Sequence, residues 1–367
     1  MSELILDGHK LNWHSDRVEA WLRGERIAPI TIDCALTRRC SYRCVYCYGR
    51  LQSNDEKMMT RDVIFRFLDD AALIGVKAIS FVGDGESSCS PHLYDAIARG
   101  KANGLDMALG TNGYLLKEEK LEEMLAGLSY LRFNISAGEP ARYAQIMGSD
   151  EEAFHKVRAI IRKCVEIKKA GKLSVTLGLQ MVLMPDFKDQ ILPLAWLAKE
   201  LGADYLVIKH CSDNEAGALG VAYSEYDGLF PLLKQAEVMS DERTLIKVKW
   251  SKILSRGIRR YQQCFGPPFI IQLSGSGLVA PCGMLFNRKF RKYHIGNIVD
   301  TPFREIWKSE RYWEVMGLIA SPKFNIRNMC GTLCLQDRVN ESLWDLKQGP
   351  AVLRKIPGPE PLHKNFI

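Results

Sequence analysis

From residue 30 onward, the chain alternates short β-branched or apolar runs with segments whose apolar residues recur every three or four positions. Such alternation is typical of βα units built around a parallel sheet. The runs long enough to be strands cover 30–36, 78–82, 107–110, 131–136, 175–183 and 205–209. Six units fall short of a closed eight-unit barrel. The sequence therefore predicts an α/β fold whose main body is a partial (β/α)6 TIM-type barrel.

The pattern changes after residue 245, where glycine and proline interrupt a region with its own cysteines. This change indicates a second, smaller α+β module. We predict an N-terminal extension packed on the barrel at 1–29, the partial barrel at 30–245, the module at 246–340 and a C-terminal tail of low structural content at 341–367.

Charge and hydropathy restrict the surroundings and the partners of the chain. The formal net charge is +7, and the stretch from Lys247 to Arg311 alone holds 13 basic and 3 acidic residues. Such a surplus favours an anionic substrate, an acidic redox partner or nucleic acid. The sequence shows neither an export signal nor an apolar stretch long enough to span a bilayer, so we expect a cytoplasmic protein without a membrane partner.

Eleven cysteines in such a chain indicate metal binding or catalysis, because the cytosol keeps thiols reduced. Cys40, Cys44 and Cys47 directly follow the first predicted strand, on the side of a parallel sheet where active sites gather. Three thiolates at this spacing can hold three irons of a four-iron cluster and leave the fourth iron open. A zinc site completed by a distant residue is the alternative.

The remaining cysteines form a spread group and several single thiols. Four thiolates complete one closed iron–sulfur cluster, although a four-cysteine zinc site is also possible. The spread group consists of Cys264, Cys282, Cys330 and Cys334. Cys211 follows the sixth predicted strand, where its thiol can face the barrel mouth and donate a hydrogen atom to a substrate radical; a buried core thiol is the alternative.

Over about residues 30–215 the sequence resembles the radical S-adenosylmethionine (SAM) superfamily. An aromatic residue precedes the third cysteine, a Gly-Asp-Gly-Glu-Ser segment resembles the family's Gly-Gly-Glu motif with Asp84 in place of the first glycine, and a Thr-Asn-Gly turn follows the third strand. The resemblance implies a [4Fe–4S] cluster on Cys40, Cys44 and Cys47. It also implies that SAM is bound by Tyr46, Gly85, Glu86, Asn112 and Ser136.

The second cysteine group resembles the auxiliary-cluster modules called twitch and SPASM, because Gly277 stands five residues before Cys282. The last pair is C-x3-C instead of C-x2-C, and no cysteine follows Cys334. The resemblance therefore implies one auxiliary [4Fe–4S] cluster, held by Cys264, Cys282, Cys330 and Cys334.

The resemblance implies an enzyme that cleaves SAM to methionine and a 5′-deoxyadenosyl radical, with electrons from a flavodoxin- or ferredoxin-type donor. We predict that it dehydrogenates a polar small molecule such as a sugar, an aminocyclitol or a sugar phosphate. Three alternatives stay open: an epimerase with Cys211 as hydrogen donor, a peptide- or protein-modifying enzyme, and a non-catalytic iron–sulfur or zinc protein that binds nucleic acid through the basic module.

Overall fold

A computed structural model describes residues 3–54, 57–332, 334–349, 351–353 and 359–367. One sheet runs through the molecule in the strand order β10-β9-β8-β1-β2-β3-β4-β5-β6-β7. Its strands are β1 Thr31–Cys34, β2 Ala78–Phe81, β3 Asp106–Thr111, β4 Tyr130–Asn134, β5 Thr176–Leu183, β6 Tyr205–His210, β7 Leu245–Val248, β8 Ile270–Leu273, β9 Leu278–Ala280 and β10 Gly296–Asn297.

Strands β1 to β7 pair in parallel, each with the next along the chain. The predicted α/β partial barrel is thereby confirmed, and each of the six predicted strands lies where the sequence placed it. The structure adds β7, which pairs with β6 from Tyr205↔Leu245 to Ile208↔Val248. The predicted boundary at 245/246 falls within this strand.

Helices join the strands and cover the outer face of the sheet. They are α1 Ser15–Leu22, α2 Arg61–Ile74, α3 Leu93–Ala102, α4 Leu121–Gly127, α5 Pro140–Met147, α6 Glu151–Ala170, α7 Ile191–Leu201, α8 Phe230–Val238, α9 Trp250–Ile253, α10 Phe303–Lys308, α11 Glu310–Ile319, α12 Ile326–Met329 and α13 Asp337–Gln348. Their boundaries follow local chemistry: in α2, the Thr60 side chain accepts from the Val63 amide at the start, and Gly75 ends the helix at φ 95°.

The second cysteine group lies in a module that joins the other side of β1. Strand β8 pairs with β1 in parallel, from Thr31↔Ile270 to Cys34↔Leu273. Strands β9 and β10 then continue the sheet in antiparallel order. The module thus extends the barrel sheet directly, and its loops reach the same end of β1 as the first cysteine group.

The N-terminal extension contacts both the barrel and the module. In α1, the Arg17 guanidinium donates to the carbonyls of Ala28 and Gly75, at 3.0 and 3.1 Å. The Trp21 ring lies 5.6 Å from the rings of Phe265 and Phe269, which belong to the module.

The tail predicted at 341–367 is wrong at its start, because α13 continues through residue 348. Val339 and Leu343, one helical turn apart in α13, are buried. Residues 350 and 354–358 of the predicted tail lie outside the described residues. The last residues pack under the barrel: the Thr31 hydroxyl donates to the Asn365 carbonyl at 2.6 Å, and Phe366 contacts Tyr130. The proline-rich sequence of this segment gave no indication of these contacts.

None of the helices in the described part of the chain combines the length and the apolar character that a bilayer crossing requires.

Candidate active site and auxiliary cysteine site

The first cysteine group lies on the loop after β1, and the end of α5 fixes that loop. The amides of Arg43 and Val45 donate to the carbonyls of Gly148 and Ile146, at 3.3 and 3.0 Å. A side chain on Gly148 would collide with the Arg43 backbone, and its φ of 61° also favours glycine. This loop is therefore held rigidly between β1 and α5, as a site for a bound group requires.

The thiols of this loop differ in exposure, and the charge of one thiol raises the pKa of another. Cys40 is exposed, whereas Cys44 and Cys47 are half-buried. Burial raises the pKa of Cys44 to about 12, and the charges of Cys47 and Cys40 add to this shift. A thiol with a raised pKa is a thiolate at neutral pH only when a cation replaces its proton.

Glu86 lies next to this loop and is buried. Its carboxylate accepts from the Thr111 hydroxyl and the Asn112 amide, both at 2.7 Å, and from the Ser88 amide at 3.0 Å. A carboxylate has about four acceptor positions. Two of these donors bind Oε1 and one binds Oε2, so Oε2 retains a position for a ligand.

Asn112 joins Glu86 to the cysteine loop. Its side-chain amide donates to the Ser41 hydroxyl at 3.0 Å and lies 4.0 Å from the Cys40 sulfur. Gly85 is required at its position because a side chain there would collide with the Thr37 carbonyl. The structure thus brings Cys40, Glu86 and Asn112 together, three residues that the sequence placed after different strands.

The side chains of Ser136 and Tyr46 contact other residues of the chain. The Ser136 hydroxyl accepts from the Val182 amide at 3.1 Å, and Ser136 is completely buried. The buried Tyr46 hydroxyl lies 3.1 Å from the Met147 sulfur. Ser136 therefore acts as a local cap between β4 and β5, and the binding of ribose by Ser136 stays a prediction.

Cys211 is buried at the end of β6. Its sulfur lies 3.7 Å from the carbonyls of Tyr46 and Ser212. Burial raises the pKa of its thiol to about 12, and Asp213 adds to the shift. The thiol thus lies beside the backbone of the first cysteine loop, and its role as hydrogen donor stays a prediction.

The four cysteines of the second group lie close together in the module, two of them buried and two half-buried. Burial raises the pKa of Cys282 well above its usual range, and the charges of Cys330, Cys334 and Cys264 raise it further. Two polar side chains of the α13 region lie at the Cys264 sulfur: the Asn340 amide at 3.6 Å and the Gln336 carbonyl oxygen at 3.8 Å.

Two cations accompany this group. The Arg259 guanidinium donates to the Gly331 carbonyl and lies 3.5 Å from the Cys330 sulfur. The Lys252 ammonium donates to the Cys334 carbonyl at 3.0 Å. Positive charge beside Cys330 and Cys334 favours the thiolate forms of these two residues.

The 330–332 segment docks on the loop that follows β6. A side chain on Gly331 would collide with the Asp213 carbonyl, and the Asp213 amide donates to the Thr332 hydroxyl at 2.9 Å. The auxiliary cysteines are therefore held against the end of a barrel strand.

Tyr48 lies between the two cysteine groups. Its hydroxyl is 3.2 Å from the position that a Cβ on Gly283 would occupy. Burial raises the pKa of Tyr48, and the charges of Cys47 and Cys282 contribute in that order. The Tyr48 side chain thus lies near residues of both cysteine groups.

Comparison with known proteins agrees with this geometry. A model of the radical SAM superfamily matches residues 35–193, and a model of the SPASM iron–sulfur cluster-binding domain matches residues 264–334. The predicted resemblance to the radical SAM superfamily, with a SPASM-like auxiliary domain, is confirmed. The SPASM match begins at Cys264 and ends at Cys334, the first and last cysteines of the second group.

Two curated relatives match most of the chain. The tungsten-containing aldehyde ferredoxin oxidoreductase cofactor-modifying protein of Pyrococcus furiosus is 23% identical over 292 residues, which are 76% of this chain and 80% of the relative. The AdoMet-dependent heme synthase of Methanosarcina barkeri is 26% identical over 337 residues, 83% of this chain and 88% of the relative.

Among solved structures, Streptococcus suis SuiB bound to S-adenosylmethionine shares the fold. The TM-score is 0.64 at 14% identity, over 84% of this chain and 72% of SuiB. At this identity the likeness concerns the fold alone.

The cofactors of this radical SAM protein are SAM, a [4Fe–4S] cluster and an auxiliary iron–sulfur cluster. The donor sets fit: three thiols with an open side lie beside Glu86, and four enclosed thiols lie beside two cations. No three Cys, His, Asp or Glu side chains of the described residues are spaced for a single metal ion. A four-iron cluster separates its thiolates by a cube of iron and sulfide, so its ligands surround a larger volume.

Asp84 occupies the position of the first glycine in the family's Gly-Gly-Glu motif. Its fully buried carboxylate accepts from the Ser274 hydroxyl at 2.6 Å, from the Gly275 amide at 2.9 Å and from Asn54 at 3.1 Å. The Arg38 guanidinium lies at 3.4 Å. Asp84 thus ties the SAM motif to the auxiliary domain.

The sequence alone did not identify Thr111, Asp84, Lys252 or Arg259 as site residues. Thr111 had a signal, because it belongs to the Thr-Asn-Gly turn. The other three act through contacts with distant parts of the chain, which no local pattern shows.

Replacing Glu86 by glutamine is expected to weaken SAM binding by about 10- to 100-fold, because a charge-assisted hydrogen bond contributes about 1.5–3 kcal/mol. Titration calorimetry with SAM on the anaerobic, reconstituted protein measures the change. The control is Glu122→Gln, since Glu122 is exposed on α4. Equal SAM affinity in Glu86→Gln and the wild type would remove Glu86 from the SAM site.

Proposed function

We propose that this protein is a radical SAM oxidoreductase that dehydrogenates a polar small molecule, with the auxiliary cluster as the electron acceptor. In this proposal Cys40, Cys44 and Cys47 hold the SAM-binding cluster, while Tyr46, Gly85, Glu86 and Asn112 position SAM. The bound cofactors supply the 5′-deoxyadenosyl radical, which abstracts a hydrogen atom from the substrate.

The observation that carries the proposal is the docking of the auxiliary cysteines at the barrel mouth. The loop that contains Gly331 and Thr332 contacts the backbone of Asp213, three residues after β6. A substrate held at the carboxyl ends of the strands therefore lies between the two cysteine groups. This arrangement suits a substrate radical that gives up its electron directly.

The electrons balance in this reaction. One electron from a flavodoxin- or ferredoxin-type donor cleaves the sulfonium bond of SAM. The substrate then loses a hydrogen atom to the radical, and afterwards one electron to the auxiliary cluster and one proton to solvent. The products are methionine, 5′-deoxyadenosine and a substrate oxidised by two electrons.

The test compares the wild type with Cys282→Ala in the presence of fractions of native-host extract. A substrate accelerates SAM cleavage, so we expect the low-molecular-mass fraction to stimulate 5′-deoxyadenosine formation in the wild type. The variant is expected to lose about four irons and the oxidised product, because the auxiliary acceptor is missing.

Two results would contradict the proposal. Stimulation by the macromolecular fraction alone would favour a peptide or protein substrate. Undiminished product in Cys282→Ala, after loss of its auxiliary iron, would show that the auxiliary cluster accepts no electron from the substrate.

A further inference from the structure

Three cationic side chains of the barrel lack partners. They belong to Arg132 in β4, Lys209 in β6 and Lys249 directly after β7. None of the three side chains makes a hydrogen bond or an ion pair with another described residue, and the Arg132 Nε atom is fully buried. Unpartnered charge in the interior of a protein costs free energy, so this group requires an explanation.

The strand register places Arg132 and Lys209 on the lumen face, and Lys249 lies beside Lys209, because its amide donates to the Ile208 carbonyl at 2.8 Å. Arg132 pairs with Gly178, which pairs with Tyr205, and Lys209 lies four residues further along β6 on the same face as Tyr205. The Arg132 side chain extends over Gly110, where a Cβ would lie 3.2 Å from Nη2. A larger residue at 110 would therefore displace this guanidinium.

The electrostatic surroundings of Asp33 indicate that Arg132 and Lys209 extend across the lumen. This residue lies in β1, which pairs with β2 and β8 and contacts neither β4 nor β6 in the sheet. The charges of Arg132 and Lys209 nevertheless both act on its carboxyl group. Side chains from opposite walls of the barrel therefore approach one another across its interior.

Burial opposes the charged forms of the lumen groups, and the cations repel one another. Burial raises the pKa of Asp33 to about 7, so this carboxyl group is only partly ionised at neutral pH. Burial lowers the pKa of Lys209 well below its ordinary value, and Lys252, Arg132 and Lys249 lower it further. A bound anion would relieve this repulsion.

The group is accessible and close to the first cysteine loop. Arg132, Lys209 and Lys249 are half-buried, so the lumen reaches solvent. The charges of Lys209 and Cys47 both act on the Cys211 thiol. An anion beside Lys209 would therefore lie near the residues that we propose to generate the radical.

We infer that Arg132, Lys209 and Lys249 form a lumen subsite that binds the carboxylate or phosphate group of the substrate. The guanidinium of Arg132 offers paired N–H donors, which match the oxygens of either group. An anion bound beside Lys209 and Lys249 would favour protonation of their amines, whose pKa values burial lowers. This subsite rests on the proposed function for its identification as a substrate site.

The test titrates inorganic pyrophosphate, and separately succinate, into the SAM-loaded, reconstituted protein by calorimetry. We expect the wild type to bind at least one of these probes, and the stronger probe identifies phosphate or carboxylate as the group. Lys209→Met should weaken that binding by about tenfold, the loss of one charge-assisted contact. Arg132→Met should do the same, and Lys234→Met, which removes an exposed lysine of α8, should leave it unchanged.

Thermal unfolding without a probe separates binding from structure. Because the lumen cations lack partners, Lys209→Met and Arg132→Met should unfold at or above the wild-type midpoint. The inference is overturned if the wild type binds neither probe, or if both variants bind like Lys234→Met. If SAM is not cleaved while the pattern of probe binding holds, the proposed function fails and the lumen remains an anion site.

Discussion

Replacing Cys44 by alanine is expected to abolish SAM cleavage while the auxiliary cluster remains. Two thiolates cannot hold three irons of the cluster, so the variant should contain about four irons instead of about eight. Changes in the outer shell of metal sites already cost about 10–100-fold, so we expect 5′-deoxyadenosine formation to fall by more than about 100-fold. Iron analysis and chromatography of the products measure both effects.

Cys164→Ala is the matched control for this replacement. Cys164 is a buried thiol of α6 and belongs to neither cysteine group. It should retain the wild-type iron content and activity. Retention of SAM cleavage by Cys44→Ala would show that the cluster is held elsewhere.

Replacing Asp84 by alanine is expected to lower the free energy of unfolding by about 3 kcal/mol. The loss of one partner of a buried ion pair costs about 3–5 kcal/mol, and here Arg38, Ser274 and the Gly275 amide would all lose an acceptor. Asp84→Gly, which restores the family motif, should be similarly unstable. Urea unfolding followed by circular dichroism measures the change.

Asp95→Ala provides the comparison, because Asp95 forms an exposed ion pair with Arg61 at 3.1 Å. Exposed pairs contribute only about 0–1 kcal/mol. If Asp84→Ala were no less stable than Asp95→Ala, Asp84 would not connect the SAM motif to the auxiliary domain. SAM affinity should fall with stability in Asp84→Ala, since Glu86 is two residues away.

Much of the barrel could be predicted because its strands are continuous apolar runs between glycine, proline and polar residues. The stretch 247–250 has a strand-like pattern, but the place of β7 in the barrel could not be predicted, because only Ile246 and Val248 are buried in it. The helix α13 was concealed by the proline-containing segment that follows it. In both cases tertiary packing, more than local pattern, determines the structure.

The sequence predicted the site residues that belong to short motifs, in which the residues lie close together along the chain. Cys40, Cys44, Glu86 and Asn112 each follow a strand end, and parallel strands bring their carboxyl ends together. The contact between Asp84 and Ser274 joins residues 190 positions apart. The lumen cations were also missed, because the inward face of a strand is defined only when the sheet closes.

The decisive measurement is the electron paramagnetic resonance spectrum of the reduced, anaerobic protein before and after addition of SAM. We expect signals from two iron–sulfur clusters, of which only one changes when SAM is added, and that signal should be absent from Cys44→Ala. Spectra that SAM leaves unchanged, or a SAM-dependent signal that persists in Cys44→Ala, would contradict an open cluster on Cys40, Cys44 and Cys47.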